Sequence, residues 1–523
     1  MRASAKLLFF LLLSVLSWAV FPGHTWLQQD TQIYAPILEH IRDPSLLRQD
    51  LIVQHPHVAL TLYDETALTL RWLTGLDFHT VLMALDILLR AAGFGGVFLI
   101  ATALGLDAEA AAIVTLLWSL GATITGPAVM TVEYEPVPRG FALPLVMLAI
   151  GLASHARWRA AGMAASVAVL FHAPTTWPFW LVAPAFRKRR LWPPLLAACA
   201  LLLAAAHFQS GPGESGGIFA TLPPALEQLQ RLRASYNWIS MWPGEAILQH
   251  CFLFAVAMLA LWRLGPRVPP ALRLFALSLP VIGLASMPLS WLLLERCKWA
   301  LMPQLQPMRA VLFITAFAVL LSAAAGCVAA RARRFPEAFA WFLLPWLLPM
   351  RSRLLAVPPT PQMLLCLAFA VLTVAALAWP KSRASLALLA CYFAIPAFAR
   401  INGTATLHTP EIAALSSWAR HSTPADAVFF FADNGKANYP GIFRAEALRA
   451  VYVDWKGGGQ VNYKPVFAAE WWRRWQQTTG AGPAQTERYR TMGIGYLVVS
   501  PAHYLPGRDP VYRNAKYLVY PLK

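Results

Sequence analysis

Charged residues are scarce in this chain: Asp, Glu, Lys and Arg together make up 13% of its 523 residues. Soluble domains carry roughly a quarter of charged residues, whereas hydrophobic residues reach 58% here and the mean hydropathy is +0.51. This shortage of charge excludes one ordinary soluble domain. It indicates a membrane protein with many spanning helices.

Acidic residues and cysteines are also few. The 25 Asp and Glu stand against 43 Lys and Arg, which gives a net charge of +18. The basic residues form no compact tract of the kind that nucleic-acid-binding proteins use, so we expect no nucleic-acid partner. The six cysteines lie mostly within apolar runs, which argues against a disulfide framework and against a CxxC metal site.

Apolar runs of membrane-spanning length recur along the first 400 residues. The first, 7–21, is either a signal peptide, with a small-x-small pattern at Ser17 and Ala19, or a retained first helix, which the many later runs favour. The further predicted spans are 79–105, 109–129, 140–155, 191–208, 248–264, 271–294, 310–330, 337–349, 361–379 and 384–399.

Residues 160–185 are ambiguous, because Pro174 and Pro178 interrupt the apolar run. They form either one tilted span or two short helices that meet near His172. Basic clusters decide between the two, since Lys and Arg concentrate on the cytoplasmic side of membrane proteins. Only the two-helix alternative places every basic cluster in the cytoplasm. We therefore predict about thirteen spans, with the loop Arg187–Arg190 inside and Lys523 outside.

Two regions follow from this count. Residues 1–400 form a membrane domain with a large first outward loop, 22–78, in which 33–47 and 58–73 have the helical spacing of interfacial helices. The charged fraction rises from about 12% before residue 400 to about 18% after it, which marks a boundary. Residues 401–523 are predicted to form a small extracytoplasmic α/β domain with helices at 410–420, capped by Thr409, and 468–476, and strands at 428–431, 450–454, 495–499 and 517–520.

The first outward loop carries a carboxylate, Asp30, shortly after the first span, followed by Tyr34. Near the membrane surface such a carboxylate can take a proton from the acceptor of a lipid-linked substrate, which is the work of a general base. Alternatively, Asp30 only caps the helix that begins at Thr31. Asp50 is a second acidic candidate in the same loop.

The next outward loop holds Glu133, Glu135 and Arg139. One acid could act as base while the other orients the acceptor or a divalent ion, and Arg139 could bind a phosphate through its planar fork. The alternative is a solvated loop with Arg139 as an interfacial anchor. No motif in the sequence requires a metal, and the possibility that a divalent cation binds stays open.

Other polar residues are expected on the same face. These are His172 at the proline-interrupted turn, Arg233 and Tyr236 in the loop 209–247, and Arg309 before the span 310–330. An arginine that enters an apolar span is costly unless it faces a partner or a polar cavity. Arg309 is therefore either a phosphate ligand or a snorkelling anchor.

The layout of a first span, a long outward loop with an early Asp, broken middle spans and a soluble carboxyl-terminal domain resembles the GT-C superfamily of membrane glycosyltransferases. Motifs of the last region are similar to those of poorly characterised bacterial proteins of this type. They are LSSWARHSTP at 415–424, Phe443-Arg444, Arg449, Asp454-Trp455-Lys456 and Glu470-Trp471.

The resemblance implies an inverting transfer of a sugar from a polyprenyl-phosphate carrier to a lipid, glycan or protein acceptor. The reaction would take place at the outer face of the bacterial inner membrane, with the carboxyl-terminal domain in the periplasm. The alternative function is a non-enzymatic lipid or glycan transporter or a membrane scaffold. The predicted catalytic residues are Asp30, Glu133 and Glu135, and the predicted substrate-binding residues are Tyr34, Asp50, Arg139, His172, Arg233, Tyr236 and Arg309.

Overall fold

The structure is a computed structural model that describes residues 3–20, 22–54, 60–209, 217, 219–346, 371, 373–375 and 407–522. Several sequence predictions fall outside these residues. They are most of the span 361–379, the whole span 384–399, the end of the span 337–349, the domain boundary near residue 400 and the position of Lys523.

The region before residue 347 is helical. The helices of the apolar runs are Ala3–Ala19, Phe78–Ala103, Ala108–Ser119, Pro138–Ser154, Trp158–Val182, Trp192–Gln209, Gly244–Leu264, Pro270–Ser290, Leu312–Arg331 and Phe335–Leu343. The helices of the loops are Thr31–Arg42, Leu51–Gln54, Tyr63–Thr74, Pro224–Arg233 and Met302–Leu305. A π-helix, Trp291–Arg296, and 3-10 turns, among them Pro307–Val311, join them.

Within the described residues, five helical segments have the length and composition to cross a membrane, as expected of a multi-pass membrane protein. They are Phe78–Ala103, Arg189–Phe208, Gly244–Arg267, Pro270–Arg296 and Met302–Arg331. The first helix also packs into the bundle: the rings of Phe10 and Phe98 lie 5.4 Å apart, and the Ser14 hydroxyl donates to the Ile87 carbonyl at 2.6 Å. The helix Ala3–Ala19 is thus part of the bundle, and its retention stays a prediction.

The proline-interrupted segment is a tight hairpin. The helix Trp158–Val182 is broken at His172, whose φ of −158° and ψ of 89° are not helical. The rings of Trp158 and Phe186 lie 5.0 Å apart, whereas an uninterrupted helix would hold them about 40 Å apart. The chain therefore reverses at His172, as the two-helix alternative expects. The thirteen-span count stays a prediction.

The predicted span 109–129 is too long. Its helix ends at Ser119, and Gly121, with φ of +71°, turns the chain into a short hairpin of strands β1 (Thr123–Ile124) and β2 (Val129–Met130). A left-handed glycine ends helices because it has no Cβ to clash. The residues after the turn belong to the loop that carries Glu133 and Glu135.

The carboxyl-terminal domain is a layered α/β unit. Its strands are β3 (Val428–Phe431), β4 (Ala450–Val451), β5 (Tyr496–Val499), β6 (Tyr512–Arg513) and β7 (Leu518–Pro521), in the order β4-β3-β5-β7-β6. Strand β3 is parallel to β4 and β5, while β7 is antiparallel to β5 and β6. Its helices are Pro410–Ser422, Tyr439–Ala447, Pro465–Thr478 and Thr486–Thr491.

Alternation along β3 explains the two layers of helices. Phe429 and Phe431 pack in one buried cluster with Ile412 and Ile442, whereas Phe430 packs on the other face with Trp471. The Thr409 hydroxyl accepts from the Ile412 amide, which confirms the predicted cap. The sequence did not predict the helix Tyr439–Ala447, and the strand expected at 450–454 is shorter.

Three buried charges join this domain to the first loop. Arg444 Nε donates to Asp50 Oδ2 at 2.6 Å, and Arg444 Nη2 donates to Asp454. Asp50 also accepts from the amides of Ile52 and Val451, at 3.0 and 2.9 Å. Because all three ionised side chains are almost fully buried, this cluster fixes residues of the carboxyl-terminal domain against the first loop.

Candidate active site

A cavity of about 300 Å³ lies where the first loop, the membrane helices and the carboxyl-terminal domain meet. Pro138 begins one apolar helix there, His172 is the tip of the hairpin, and Arg309 directly precedes the helix Leu312–Arg331. The cavity is therefore at the ends of several apolar helices. Arg331, at the other end of its helix and about 30 Å away, pairs with Glu109 at 2.9 Å.

Most of the predicted substrate-binding residues, together with one predicted catalytic residue, line this cavity. They are Asp30, Tyr34, Arg139, His172, Arg233, Tyr236 and Arg309. These residues come from five separate parts of the chain. The sequence predicted only that they lie on the outward face of the membrane, whereas the fold brings them together in one cavity. Asp50, Glu133 and Glu135 do not line the cavity.

Asp30 is held between two cations. Its Oδ2 accepts from Arg139 Nη1 at 2.6 Å, and its Oδ1 accepts from Lys456 Nζ at 2.6 Å. Burial alone would raise the pKa of Asp30, but the Lys456 ammonium and the Arg139 guanidinium together hold that pKa well below its usual value. The side chain makes no capping bond to its own helix. The capping alternative for Asp30 is therefore wrong.

Glu135 does the capping instead. Its Oε1 accepts from the amides of Gln28 and Gln29 at 2.8 and 2.7 Å, and its Oε2 accepts from the Thr31 amide at 3.1 Å. Burial raises the pKa of Glu135, although these amide bonds oppose the shift. All three bonds fix the backbone on either side of Asp30. Glu135 thus positions Asp30 and does not face the cavity as a base.

Glu133 positions Arg139. Its Oε1 accepts from Arg139 Nε at 2.8 Å, while Arg90 Nη2 donates to the Glu133 backbone carbonyl at 2.5 Å. Arg90 itself pairs with Asp86 at 2.9 Å inside the bundle. One edge of the Arg139 guanidinium is therefore occupied by Glu133, and the remaining nitrogen reaches Asp30.

Asp50 is a structural residue. Its side chain is fully buried and makes the bonds to Arg444 and to the two backbone amides described above. The prediction that Asp50 binds substrate is not supported, because its oxygens face the interior of the interface between the first loop and the carboxyl-terminal domain.

Arg309 faces the cavity without a carboxylate. Its residue is 8% exposed, its Nη1 lies 3.5 Å from His172 Nε2, and its guanidinium lies 5.7 Å from the centre of the Tyr236 ring. Within the part of the chain that the structure describes, no Asp or Glu pairs with it. A buried guanidinium is costly unless an anion compensates its charge, so an anionic group that entered the cavity would stabilise Arg309.

His172 accepts at Nε2 from Arg309. Since Nε2 is the acceptor, Nδ1 carries the proton and donates to the Thr175 hydroxyl at 2.7 Å. The break in the helix at His172 places this ring at the hairpin tip. His172 therefore holds Arg309 toward the cavity as a neutral ring.

Arg233 stacks on a tryptophan of the carboxyl-terminal domain. Its guanidinium lies 4.0 Å from the centre of the Trp455 ring, and its Nη2 donates to the Trp455 carbonyl at 2.5 Å. Burial lowers the pKa of Arg233 to about 10, which leaves it charged at neutral pH. Tyr236 accepts at its hydroxyl from Asn462 Nδ2 at 3.1 Å. Both contacts tie the loop 219–243 to the same domain.

Some lining residues were missed by the sequence reasoning, above all Lys456. Lys456 stood in the Asp454-Trp455-Lys456 motif, but nothing in the order of residues linked it to Asp30. Among the described residues, no group of three or more His, Cys, Asp or Glu side chains is placed to hold a metal ion.

Comparisons with known proteins give one family model and several similar solved structures. A family model described as a domain of unknown function, DUF6798, matches residues 410–478, and no curated protein matches the chain. The chain is similar to ArnT from Cupriavidus metallidurans in the apo state (12% identity, TM-score 0.46, covering 100% of this chain and 99% of that one). It is also similar to the same protein bound to undecaprenyl phosphate, with 14% identity and a TM-score of 0.44. That match covers 100% of this chain and 99% of the other.

A third similar structure is the arabinofuranosyltransferase AftD from mycobacteria, with 14% identity and a TM-score of 0.46. The match covers 100% of this chain and 40% of the other. The TM-scores of all three structures lie below 0.5.

Proposed function

We propose that this protein is a membrane glycosyltransferase that takes a sugar from a polyprenyl-phosphate carrier at the outer face of the membrane. The observation that carries the proposal is the buried Arg309, which lacks a carboxylate partner among the described residues and faces a cavity at the ends of apolar helices. A lipid-linked phosphate supplies the missing negative charge while its chain stays in the bilayer.

In the proposed reaction, the acceptor hydroxyl or amine attacks the anomeric carbon of the sugar. The bond between that carbon and the phosphate oxygen breaks, and its electron pair leaves on the phosphate beside Arg309. The acceptor proton passes to the carboxylate of Asp30, which is the only Asp or Glu lining the cavity among the described residues. Arg139 and Glu135 hold this carboxylate in place.

A transporter of lipids or glycans is less well supported. Transporters place their ionisable residues along a path through the middle of the membrane, whereas the charges of this cavity lie at helix ends. The charges of Asp86 and Arg90 inside the bundle pair with each other at 2.9 Å, and Arg90 also donates to two backbone carbonyls.

The proposal is tested by profiling polyprenyl-linked sugars in a strain that lacks the protein. We expect one polyprenyl-phosphate sugar to accumulate, because its consumption is blocked, and its mass identifies the donor. An unchanged lipid profile together with an unchanged set of cell-envelope glycans would contradict the proposal.

The Arg309 side chain gives a first prediction. We expect Arg309→Ala to weaken binding of undecaprenyl phosphate by roughly ten- to a hundredfold, because a charge-assisted hydrogen bond contributes about 1.5–3 kcal/mol. Arg309→Lys should recover only part of the affinity, since it keeps the charge and loses the fork. Titration of the purified protein with undecaprenyl phosphate measures both effects.

The matched control is Arg296→Ala. Arg296 is exposed and stacks on Trp291 at 4.6 Å outside the cavity, so its loss should leave the affinity unchanged. Equal affinity in the wild type and both Arg309 variants would make Arg309 an interfacial anchor.

Topology gives a second prediction. We expect a periplasm-dependent reporter to be active after Lys523 and inactive in the loop Arg187–Arg190, because basic clusters stay in the cytoplasm. Fusions at the two sites measure this directly. An inactive reporter after Lys523 would place the carboxyl-terminal domain, and with it the cavity, on the cytoplasmic face.

A further inference from the structure

We propose that Lys456 is an exchangeable counter-ion: it pairs with Asp30 in the free protein and moves to the donor phosphate when the donor binds, which releases Asp30 to act as base. The inference rests on the proposed function and deepens it. It also gives a role to the region that matches DUF6798, which would then supply part of the active site.

The contacts of Asp30 are the first reason. One carboxylate oxygen of Asp30 is bonded to Arg139 and the other to Lys456, both at 2.6 Å. A carboxylate that holds two cations is a weak proton acceptor, because both cations stabilise its ionised form. At least one cation must therefore leave Asp30 before it can take the acceptor proton.

Lys456 is the cation that can leave. The Arg139 guanidinium is also bonded to Glu133, which holds it in place. Lys456, in contrast, has a compact ammonium on a flexible stem, and the described residues offer it Asp30 as its carboxylate partner. A phosphate entering beside Arg309 places a second anion in the same cavity, and both anions then compete for the ammonium.

The backbone around Lys456 is fixed, so that only its side chain needs to move. Asp454 is held by Arg444 and accepts from the Gly457 amide at 3.1 Å, while the Trp455 carbonyl accepts from Arg233. The segment on both sides of Lys456 is thus tied to buried charges. The exchange requires no movement of the domain.

The tyrosines near Asp30 keep their protonation state during this exchange. Burial raises the pKa of the Tyr34, Tyr134 and Tyr463 phenols, so these stay neutral. Arg309 and His172 line the same cavity, and Glu135 lies on the backbone side of Asp30. The charged groups that move near Asp30 are therefore the Lys456 ammonium and the arriving phosphate.

The exchange predicts an order of binding, in which the donor precedes the acceptor. It is tested through the protonation of Asp30, read by carbodiimide labelling of the purified full-length protein at a series of pH values. Carbodiimide modifies the protonated carboxyl, and mass spectrometry of the Asp30 peptide gives the pH of half-labelling. Because Glu135 lies on another peptide, its own labelling is read separately.

We expect saturating undecaprenyl phosphate to raise the half-labelling pH of Asp30 in the wild type by about one unit or more, since loss of a close opposite charge shifts a carboxyl pKa by about one to three units. Lys456→Met should raise it without ligand, and Lys456→Arg should not. Lys436→Met is the matched control, because Lys436 is exposed and lies over the Trp455 ring at 4.6 Å.

The outcomes separate this inference from the proposed function. If undecaprenyl phosphate binds and the half-labelling pH of wild-type Asp30 does not rise, the exchange is wrong while the proposed function stands. If undecaprenyl phosphate does not bind, both fail. The wild-type measurement needs no variant, so a Lys456→Met protein that fails to fold does not remove the test.

Discussion

Asp30→Asn is expected to lower turnover by about 10² to 10⁴-fold, the usual effect of removing a positioned general base. The amide is nearly isosteric with the carboxylate, so the variant should insert and fold normally. Its affinity for undecaprenyl phosphate should be kept or increased, because Arg139 and Lys456 lose the anion that competes for them. A steady-state assay and a binding titration on the same preparation measure this split.

Asp43→Asn is the control for this substitution. Asp43 lies in the same loop outside the cavity, where its carboxylate accepts from the Ser45 hydroxyl at 2.6 Å, so its variant should keep full turnover. Near-full activity of a stable Asp30→Asn protein would remove Asp30 from the mechanism.

The second large effect is on stability. We expect Arg444→Met to destabilise the protein by about 3–5 kcal/mol, because it leaves the buried carboxylates of Asp50 and Asp454 without their shared cation. A large fall in the thermal unfolding midpoint in detergent would show this. Asp50→Asn should lose activity and stability together, whereas Asp30→Asn should lose activity alone.

Arg473→Met serves as the reference for the loss of an arginine. Its side chain is 52% exposed and pairs with Glu470 on the surface, and such pairs contribute only about 0–1 kcal/mol. Equal unfolding midpoints for Arg444→Met and Arg473→Met would mean that the buried cluster does not hold the domain to the first loop.

Much of the helical layout could be predicted from the sequence, because the length of an apolar run indicates a membrane span and the basic clusters indicate its orientation. The hairpin at His172 is the clearest case, since two prolines and the position of the arginines sufficed. The end of the helix at Ser119 was missed, because the apolar run continues through Gly121 and conceals the turn.

The chemistry of the site was only partly predictable. Arg309 stood out because a charge at the start of an apolar span needs a partner. Glu135 and Asp50 gave no signal that separates a structural carboxylate from a catalytic one, since their partners are backbone amides and a distant arginine. The contact between Asp30 and Lys456 joins two ends of the chain, and only the folded structure brings them together.

The central claim is that Asp30 is the base of a sugar transfer from a polyprenyl-phosphate donor. The most direct measurement incubates the purified protein with the lipid extract and the cell-envelope fraction of the deletion strain, which together supply the donor and the acceptor, and follows the polyprenyl-linked sugar by mass spectrometry. The account predicts that the wild type and Asp43→Asn convert that lipid to free polyprenyl phosphate, while Asp30→Asn leaves it almost intact. Equal conversion by all three proteins, or by none of them, would contradict it.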